Sequence, residues 1–568
     1  MTAPAVTAAA RAARAVAVAA AAVAAAATTS AATPTLPPSR LLQPLAQEWP
    51  TYSGDYTGRR YSSLRQIDRS TVRQLTLAWT VRMNGAVRRG GGGIFGGSGP
   101  AVVTVEGGEG SGEFSIGAPN VKGDVLQVGG ILYVTSVDNV WALDGRDGHE
   151  LWHYFWKTRG GTHIANRGAA IWNDSLFFET PDDYLVSLDV RNGHENWHVM
   201  ISDLAQEYFS TMAPVVIGDH VLAGTGNDSD APGFLQSFDP ATGRLQWKHY
   251  TVPMKAGDPA LKTWPSLDAA RHGGGQVWMP GAYDPETGYY IFGTGNPTPG
   301  YTGIARKGDN LYTCTLMAVK VQTGEMVWYY QTSPHDTHDW DSAQTPVLID
   351  GVIDGRPRKL VATAARNGYF FTLDRVTGEH IATGRFGTTI NWSRGLTPDG
   401  HPIPDPAKEA TVPGSLVSPF EGGVTNWQAN AFNPGTGLFY THEGVGFNIL
   451  YLTDPDPRGS MGLGGKRFTI VSFTDAFEAI DYRTGRTVWR HTWPGGGGVG
   501  SGVLTTATGL VFTGDGNGNF LAMDATDGTP LWHTRIGNIT NAPETYVIDG
   551  RQYLLAAVGD TLYAFVLY

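Results

Sequence analysis

The 568-residue chain contains a single cysteine, Cys314. One cysteine allows no disulfide bond within the chain. It also excludes a Cys-x-x-Cys-His site for covalently attached haem. Stabilisation by internal disulfides and a resident haem of that type are therefore both ruled out.

Charge is scarce as well. Charged residues make up 16% of the chain, the formal net charge is −11, and the sequence pI is about 5.7. No block of lysine and arginine stands out, so binding to a nucleic acid has no electrostatic support. We therefore expect no nucleic-acid partner.

Long apolar runs are absent beyond the N-terminus. There, Arg11 and Arg14 precede an alanine- and valine-rich run, and small residues continue to Ala32. This pattern predicts a signal peptide at 1–32 and an exported, periplasmic or otherwise extracytoplasmic domain at 33–568. An N-terminal membrane anchor is the alternative, although the run is weakly hydrophobic and shorter than the roughly 20 residues needed to span a bilayer. We expect no membrane span after cleavage.

Glycine and tryptophan are abundant, with 75 and 17 residues, and they occur in a repeat. Each copy has a small or apolar residue, then Asp or Asn, two variable residues, Gly and usually Trp. The clear copies lie at 142–152, 187–197, 237–247, 318–328, 479–489 and 522–532, with weaker copies around Asp284, Asp374 and Asn433.

The repeat predicts an all-β propeller. An Asp/Asn–Gly pair forms a tight turn in which glycine supplies the positive φ angle, and the tryptophan ring can fill the space between neighbouring sheets. Neighbouring copies begin 45 to 50 residues apart, and one four-stranded blade needs roughly 40–50 residues. Counting alone allows seven to nine blades. The isolated strand Leu75–Val81 is expected to close the last blade and to remove its open edge.

An acidic segment, Pro334–Asp341, carries the first chemical signal. Its three carboxylates, Asp336, Asp339 and Asp341, would repel one another on a buried strand. On a loop they can bind a cation or act as bases. A solvated acidic turn is the alternative, which the neighbouring histidine and tryptophan residues disfavour.

Two glycine-rich motifs offer further oxygen ligands. Phe292–Pro297 contains Asn296, and Gly224–Asp228 ends in an aspartate. Amide and carboxylate oxygens are ligands that Ca²⁺ prefers. In isolation each motif is only a turn, and Asp230 is a rival to Asp228 as a ligand.

Four other short motifs stand out in the chain. They are Gln276-Val277-Trp278, Ala365-Arg366-Asn367-Gly368, Asn166-Arg167-Gly168 and Thr425-Asn426-Trp427. Together with the acidic segment, the glycine-rich motifs and the repeat, they resemble the pyrroloquinoline quinone (PQQ)-dependent, or quinoprotein, alcohol dehydrogenase family. The resemblance runs from about Trp49 to the C-terminus and implies an eight-bladed propeller that holds the quinone and a metal ion.

The resemblance implies a role for each matched residue. Asp339 corresponds to the catalytic base, and Asp228, Asn296 and Asp339 correspond to metal ligands. Asp341 matches an extra acid of family members that use a lanthanide, so a lanthanide is possible in place of Ca²⁺. Arg366 corresponds to the arginine that reaches the reactive quinone oxygen. The implied quinone-binding residues are Arg167, Thr211, Trp278, Arg366, Asn426, Trp427 and Lys122.

We therefore expect an exported enzyme that oxidises an alcohol, a sugar or a cyclic alcohol to the carbonyl compound. Its electrons would pass to an external acceptor such as a cytochrome c. A non-catalytic propeller scaffold for protein assembly is the main alternative, but it has no reason to gather Asp228, Asn296, Asp339 and Arg366. A metal-dependent propeller hydrolase or lyase is a third possibility, although it would not need Trp278.

Overall fold

The computed structural model describes residues 35–85, 104–113, 118–161, 165–226, 228–459, 462–471, 474–494 and 500–568. The expected signal peptide lies outside these ranges. Within them, no helix is long and apolar enough to cross a membrane. The short helices are α1 (Pro38–Leu41), α2 (Leu267–Arg271) and the 3₁₀ turns Val72–Gln74, Leu204–Gln206, Pro259–Thr263 and Pro406–Lys408.

Short strands dominate the chain up to Tyr250. They are β1 (Tyr61–Ser62), β2 (Leu75–Arg82), β3 (Thr104–Gly107), β4 (Leu126–Val128), β5 (Ile131–Ser136), β6 (Asn139–Asp144), β7 (Glu150–Trp156), β8 (Ala170–Trp172), β9 (Ser175–Glu179), β10 (Tyr184–Asp189), β11 (Glu195–Met200), β12 (Val215–Ile217), β13 (His220–Ala223), β14 (Phe234–Phe238) and β15 (Leu245–Tyr250).

The strands of the middle and C-terminal parts are similar in length. They are β16 (Ala282–Asp284), β17 (Tyr289–Gly293), β18 (Thr315–Lys320), β19 (Met326–Gln331), β20 (Val347–Ile353), β21 (Arg356–Ala364), β22 (Tyr369–Asp374), β23 (His380–Arg385), β24 (Ser393–Leu396), β25 (Pro402–Pro404), β26 (Ser415–Val417), β27 (Ala431–Asn433), β28 (Leu438–Glu443), β29 (Gly446–Leu452), β30 (Gly465–Val471), β31 (Thr474–Asp481), β32 (Arg486–Pro494), β33 (Leu504–Thr506), β34 (Leu510–Gly514), β35 (Asn519–Asp524), β36 (Pro530–Arg535), β37 (Glu544–Ile548), β38 (Arg551–Val558) and β39 (Thr561–Leu567).

Antiparallel four-stranded units recur along the chain, and the architecture is all-β and propeller-like. The described ranges contain eight such units: β4–β7, β8–β11, β12–β15, β16–β19, β20–β23, β27-β28-β31-β32, β33–β36 and β37–β39 with β2. In the last unit β2 pairs antiparallel with β39, so that Trp79 lies opposite Ala564. Strands β26, β29 and β30 form a separate three-stranded sheet that we call the accessory sheet.

The repeat has a direct structural meaning in the contacts between neighbouring units. The turn glycine of one unit faces the tryptophan ring of the preceding unit so closely that a Cβ atom would lie within 2.9 Å of the ring. These pairs are Gly148–Trp79, Gly193–Trp152, Gly243–Trp197, Gly324–Trp247, Gly378–Trp328 and Gly528–Trp489. Several of the same indole N–H groups also donate to a backbone carbonyl of the next unit, as Trp152 does to Val190 at 3.0 Å. In these six pairs the glycine therefore serves both its turn and the packing of adjacent sheets.

The segment that precedes the first sheet joins the two ends of the chain. Arg60 is fully buried and pairs with Asp124. It also donates to the carbonyl oxygens of Val503 and Pro543, both at 2.9 Å. Since Asp124 precedes β4 and Pro543 precedes β37, one guanidinium links the N-terminal and C-terminal sheets.

Candidate active site

The acidic segment forms a tight loop after β19. Oδ2 of Asp336 accepts the backbone N–H groups of His338, Asp339 and Trp340 at 3.3, 2.9 and 3.1 Å. This acid therefore shapes the loop, and the turn holds Asp339 at a φ of 65°. Asp339 and Asp341 are buried, with 3% and 0% exposure. A solvated acidic turn does not describe this segment.

Arg366 lies between the buried acids. It follows β21, and its guanidinium pairs with Asp341 through Nη1 and lies 3.6 Å from Oδ2 of Asp339 through Nη2. Nη2 also donates to the carbonyl oxygen of Glu421 at 2.6 Å. Burial alone would lower the pKa of Arg366, but the acids outweigh it and raise that pKa, so the guanidinium stays protonated.

The glycine-rich motifs bring their ligands to the same place. The backbone N–H of Asn296 donates to Oδ1 of Asp341 at 2.6 Å, and the Asn296 side chain hydrogen-bonds the carboxylate of Asp228. A Cβ atom at Gly295 would lie 2.9 Å from Oδ1 of Asp341, so the close approach depends on glycine. Asp228, Asn296, Asp339 and Asp341 thus form one cluster with Arg366.

The cluster holds more negative than positive charge. Burial and Asp341 raise the pKa of Asp228 to about 7, although Arg366 opposes them. Burial, followed by Asp228, raises the pKa of Asp339 well above its usual value, and burial raises that of Asp341. A bound cation would favour the ionised form of all three acids. The electrostatics of the site therefore suit a metal ion.

The donor atoms also fit a hard cation. Oδ1 of Asp339 is buried and has no hydrogen-bond partner in the described part of the chain. In the same ranges no three His, Cys, Asp or Glu side chains are grouped closely enough to hold a metal by themselves. Arg366 and the backbone N–H of Asn296 occupy the two oxygens of Asp341. The oxygens of Asp228, Asn296 and Asp339 are the donor set that a metal ion would use.

A second buried cation, Arg167, lies against two indole rings. Its guanidinium carbon is 5.1 Å from the ring centroid of Trp278 and 4.6 Å from that of Trp427. Nε donates to Sδ of Met279 at 3.0 Å, and Nη1 is buried without a hydrogen-bond partner. Burial lowers the pKa of Arg167 to about 10. A buried donor in this state favours an anionic ligand, so the site fits a flat aromatic molecule that carries carboxylates.

The other expected quinone-binding residues lie around this pair. Thr211 donates through Oγ1 to the carbonyl oxygen of Trp278 at 3.3 Å, and its own carbonyl accepts the backbone N–H of Arg167 at 3.2 Å. Lys122 is half-buried, and burial together with Arg167 lowers its pKa. Asn426 uses its amide within its own loop, donating to Gly422 and accepting from the backbone of Trp427, both at 2.8 Å.

Comparison with known proteins agrees with this geometry. The family model described as PQQ, glucose/ethanol/alcohol dehydrogenase, beta-propeller domain, matches residues 49–383, more than half of the chain. Quinoprotein alcohol dehydrogenase PedH of Pseudomonas putida is 30% identical over 541 residues, which cover 88% of this chain and 84% of that protein. The chain belongs to the PQQ-dependent alcohol dehydrogenase family. The predictions of family and enzyme class are confirmed.

Other quinoprotein dehydrogenases extend the similarity. The 1-butanol dehydrogenase (cytochrome c) of Thauera butanivorans is 30% identical and covers 90% of this chain and 74% of its own length. The structure of quinohemoprotein alcohol dehydrogenase from Comamonas testosteroni superposes with a TM-score of 0.81 at 28% identity, covering 94% of this chain and 82% of that one. A europium-containing methanol dehydrogenase superposes with a TM-score of 0.78 at 26% identity, covering 92% and 98%.

A second family model, the outer membrane protein assembly factor BamB, matches residues 475–566 only. This part of the dehydrogenase contains two copies of the repeat. The match therefore reflects the blade pattern that both kinds of propeller share. The clustered acids lie outside the matched range. The match therefore does not support the alternative of a non-catalytic scaffold.

The structure separates the two aspartates that compete as a ligand in this dehydrogenase. Asp230 lies 3.0 Å from Nδ1 of His272 and accepts the backbone N–H of Gly459 at 2.7 Å. Asp228 instead contacts Asn296, and the charges of Asp341 and Arg366 shift its pKa. Of the two, Asp228 is the one in the cluster.

Sequence reasoning missed three residues beside Asp339. Arg467 donates through Nη1 to the hydroxyl of Tyr301 at 2.6 Å and lies 3.3 Å from Glu421. They come from β30 and from two separate loops, and none lies in a dehydrogenase motif. The sequence feature nearest to them is the insertion between β28 and β31, which contains Arg467.

Proposed function

We propose that this dehydrogenase is exported and oxidises an alcohol to the carbonyl compound, with Asp339 as the base. The observation that carries the proposal is the buried Oδ1 of Asp339, which has no hydrogen-bond partner among the described residues while Oδ2 faces Arg366. Oδ1 thus has room both to contact a bound cation and to accept the proton of a substrate hydroxyl, while Oδ2 is held near Arg366. This is the arrangement that a general base requires.

The quinone would bind on the Arg167 side of the site. Trp278 would stack on its plane, and Arg167 and Lys122 would pair with its carboxylates, while Thr211, Asn426 and Trp427 would border it. Asp228, Asn296 and Asp339 would hold a Ca²⁺ ion. When bound, the quinone supplies an acceptor for the hydride of the alcohol carbon, and the metal supplies a Lewis acid.

The protein side chains have three tasks in this scheme. Asp339 takes the proton of the substrate hydroxyl at Oδ1. Arg366 orients that carboxylate and stabilises negative charge that develops nearby, an electrostatic effect that is strong because the site is buried. Asp339 and Arg366 are 3% and 4% exposed, so little water can reach the atoms that would react.

The choice of metal depends on Asp341. A lanthanide carries more charge than Ca²⁺ and favours an additional anionic ligand, and a europium-containing methanol dehydrogenase is among the structural relatives. Here both oxygens of Asp341 already have partners, Arg366 and the N–H of Asn296. We therefore propose Ca²⁺ as the resident ion, and a lanthanide only if Asp341 exchanges Arg366 for the metal.

The finer features of the fold belong to the same proposal. We interpret the eight four-stranded units as eight blades, with β2 closing the last blade through its pairing with β39. Residues 1–32 would be removed as a signal peptide, leaving 33–568 in the periplasm or outside the cell. A chain with one cysteine needs an external electron acceptor, and the relative named 1-butanol dehydrogenase (cytochrome c) suggests a cytochrome c.

Reconstitution tests the proposal. The mature chain would be purified, supplied with PQQ and either Ca²⁺ or La³⁺, and assayed by dye reduction with a panel of alcohols and sugars. We expect turnover that requires both quinone and metal, and faster turnover with Ca²⁺. Turnover that is independent of the quinone would contradict the proposal, and a strict requirement for La³⁺ would contradict the metal assignment.

A further inference from the structure

The approach from solvent to Asp339 is polar. The Asp339 side chain is 4% exposed, that of Glu421 is 23% exposed and that of Arg467 is 40% exposed. Tyr301 is 1% exposed, and burial together with the charges of Asp339 and Glu421 raises its pKa. Exposure therefore increases from Asp339 through Glu421 to Arg467, and we call Tyr301, Glu421 and Arg467 the entrance residues.

The accessory sheet fixes Arg467 at this entrance. Arg467 lies opposite Leu450 in the pairing of β29 with β30. The loop between these strands is attached to the entrance, because the backbone N–H of Tyr301 donates to the carbonyl of Leu463 at 2.7 Å. A Cβ atom at Gly300 would lie 3.0 Å from Leu463 and 3.7 Å from the Cβ of Asp339. The sheet thus reaches the wall of the substrate site.

Arg467 and Glu421 together offer a donor and an acceptor. Nε of Arg467 lies 3.3 Å from Oε2 of Glu421, and Nη1 donates to Tyr301. A hydroxyl group both donates and accepts hydrogen bonds, so it can bind to such a pair through both functions. A carboxylate only accepts, and Glu421 with the buried acids would repel it. An alkyl group would desolvate the charged pair without replacing its hydrogen bonds.

We propose that Arg467 and Glu421 are specificity-determining residues, and that they bind a second hydroxyl of a neutral diol or polyol substrate. This inference rests on the proposed function, since it assumes that the alcohol reacts at Asp339. The enzyme would then prefer diols and polyols to simple alkanols of the same size. It would also discriminate against hydroxy acids.

The test compares 1,2-propanediol with 1-propanol on the reconstituted holoenzyme. For Arg467→Met we expect kcat/KM for the diol to fall about tenfold or more, mainly through KM, as the loss of a hydrogen bond to a charged group predicts. The value for 1-propanol should change less than about threefold. Arg467→Lys should recover part of the loss. Lys466→Met, at the exposed neighbour on the same strand, is the matched control and should behave like the wild type.

Glu421→Gln provides a second, independent variant, because it keeps the backbone carbonyl that Arg366 uses. It should also reduce kcat/KM selectively for the diol. Equal losses for diol and alkanol in both variants, or a wild-type preference for lactate over the diol, would overturn the inference alone. Absence of quinone-dependent turnover with every alcohol would contradict the proposed function, and this inference with it.

Discussion

Asp339, which lies beside Arg366, differs from the neighbouring acids Asp336 and Asp341 in what its carboxylate oxygens contact. Oδ2 of Asp336 accepts backbone N–H groups of its own loop, and the two oxygens of Asp341 contact Arg366 and the N–H of Asn296. Asp339 combines burial, an arginine that faces Oδ2, and an Oδ1 without a hydrogen-bond partner in the described ranges. The proposed role of Asp339 as the base predicts how a substitution at this position behaves.

Replacing Asp339 with Asn should abolish most turnover. Asparagine is nearly the same size and tolerates the positive φ of this position, but it cannot take a proton. We expect kcat to fall roughly 10²- to 10⁴-fold, measured by dye reduction. Asp354→Asn, at an exposed aspartate that also has a positive φ, is the control and should keep full activity. Near-normal turnover of the Asp339 variant would rule out this base.

Motif residues were predictable at this scale, whereas the entrance residues were not. Asp339, Arg366, Asn296 and Trp278 each lie in a short motif, and the structure brings the first three together. Arg467 has no such motif, because its proximity to Asp339 is produced by the docking of the accessory sheet. Contacts made by distant segments leave no local pattern in one sequence.

At the scale of elements, the fit between glycine and tryptophan determines how the sheets pack. Gly193→Ala should destabilise the protein by about 2–4 kcal/mol, because the new Cβ would lie 2.6 Å from the Trp152 ring at a φ of 70°. Gly218→Ala has a similar φ of 60° but no atom within 4 Å, and its loss should be about 1 kcal/mol. Unfolding temperatures at one scan rate would compare them. Equal shifts would show that the ring contact contributes nothing.

The sheet formed by β27, β28, β31 and β32 contains a buried acid pair that makes stability depend on pH. Glu443 and Glu478 both contact Arg490, at 3.0 and 2.8 Å. Burial, followed by Glu443, raises the pKa of Glu478 to about 8. The folded state therefore holds a proton that the unfolded chain releases above a pH of about 4.5, so stability should fall as the pH rises from about 5 to 8.

Glu478→Gln should remove part of this pH dependence, because glutamine stays neutral. We expect the unfolding temperature of the variant to fall less between pH 5 and 8 than that of the wild type, where each pH unit in the window costs up to about 1.4 kcal/mol. Glu379→Gln, at an exposed glutamate, is the control and should follow the wild type. Parallel pH profiles for all three proteins would show that Glu478 does not hold the proton.

The repeat predicted the turns and strands, whereas the number of eight blades came from the family resemblance and not from counting copies. The insertion of β29 and β30 separates β28 from β31, its neighbour in the same sheet. The unit formed by β37–β39 carries no copy of the repeat, and its tryptophan is Trp79 of β2. Because one sheet is interrupted and another is built from both ends of the chain, counting copies allowed seven, eight or nine blades.

For the whole molecule, Arg60 is the residue that connects the two ends of the chain. Arg60→Met should destabilise the protein by about 3–5 kcal/mol, since it leaves Asp124 buried and removes the bonds to Val503 and Pro543. Arg59→Met is the control, because Arg59 is half-buried and its Nε bonds only locally, to Thr57 at 2.8 Å. If both variants unfold at the wild-type temperature, Arg60 does not contribute to holding the ends together.

The buried guanidinium of Arg167 is proposed to pair with an anionic quinone, and a titration with PQQ in the presence of Ca²⁺ measures that binding. The wild type should bind one quinone per chain with a clear rise in unfolding temperature. Arg167→Met should be at least as stable without ligand, because it removes a buried charge, yet it should lose most of that rise. Equal binding by the wild type and Arg167→Met would show that Arg167 does not hold the quinone.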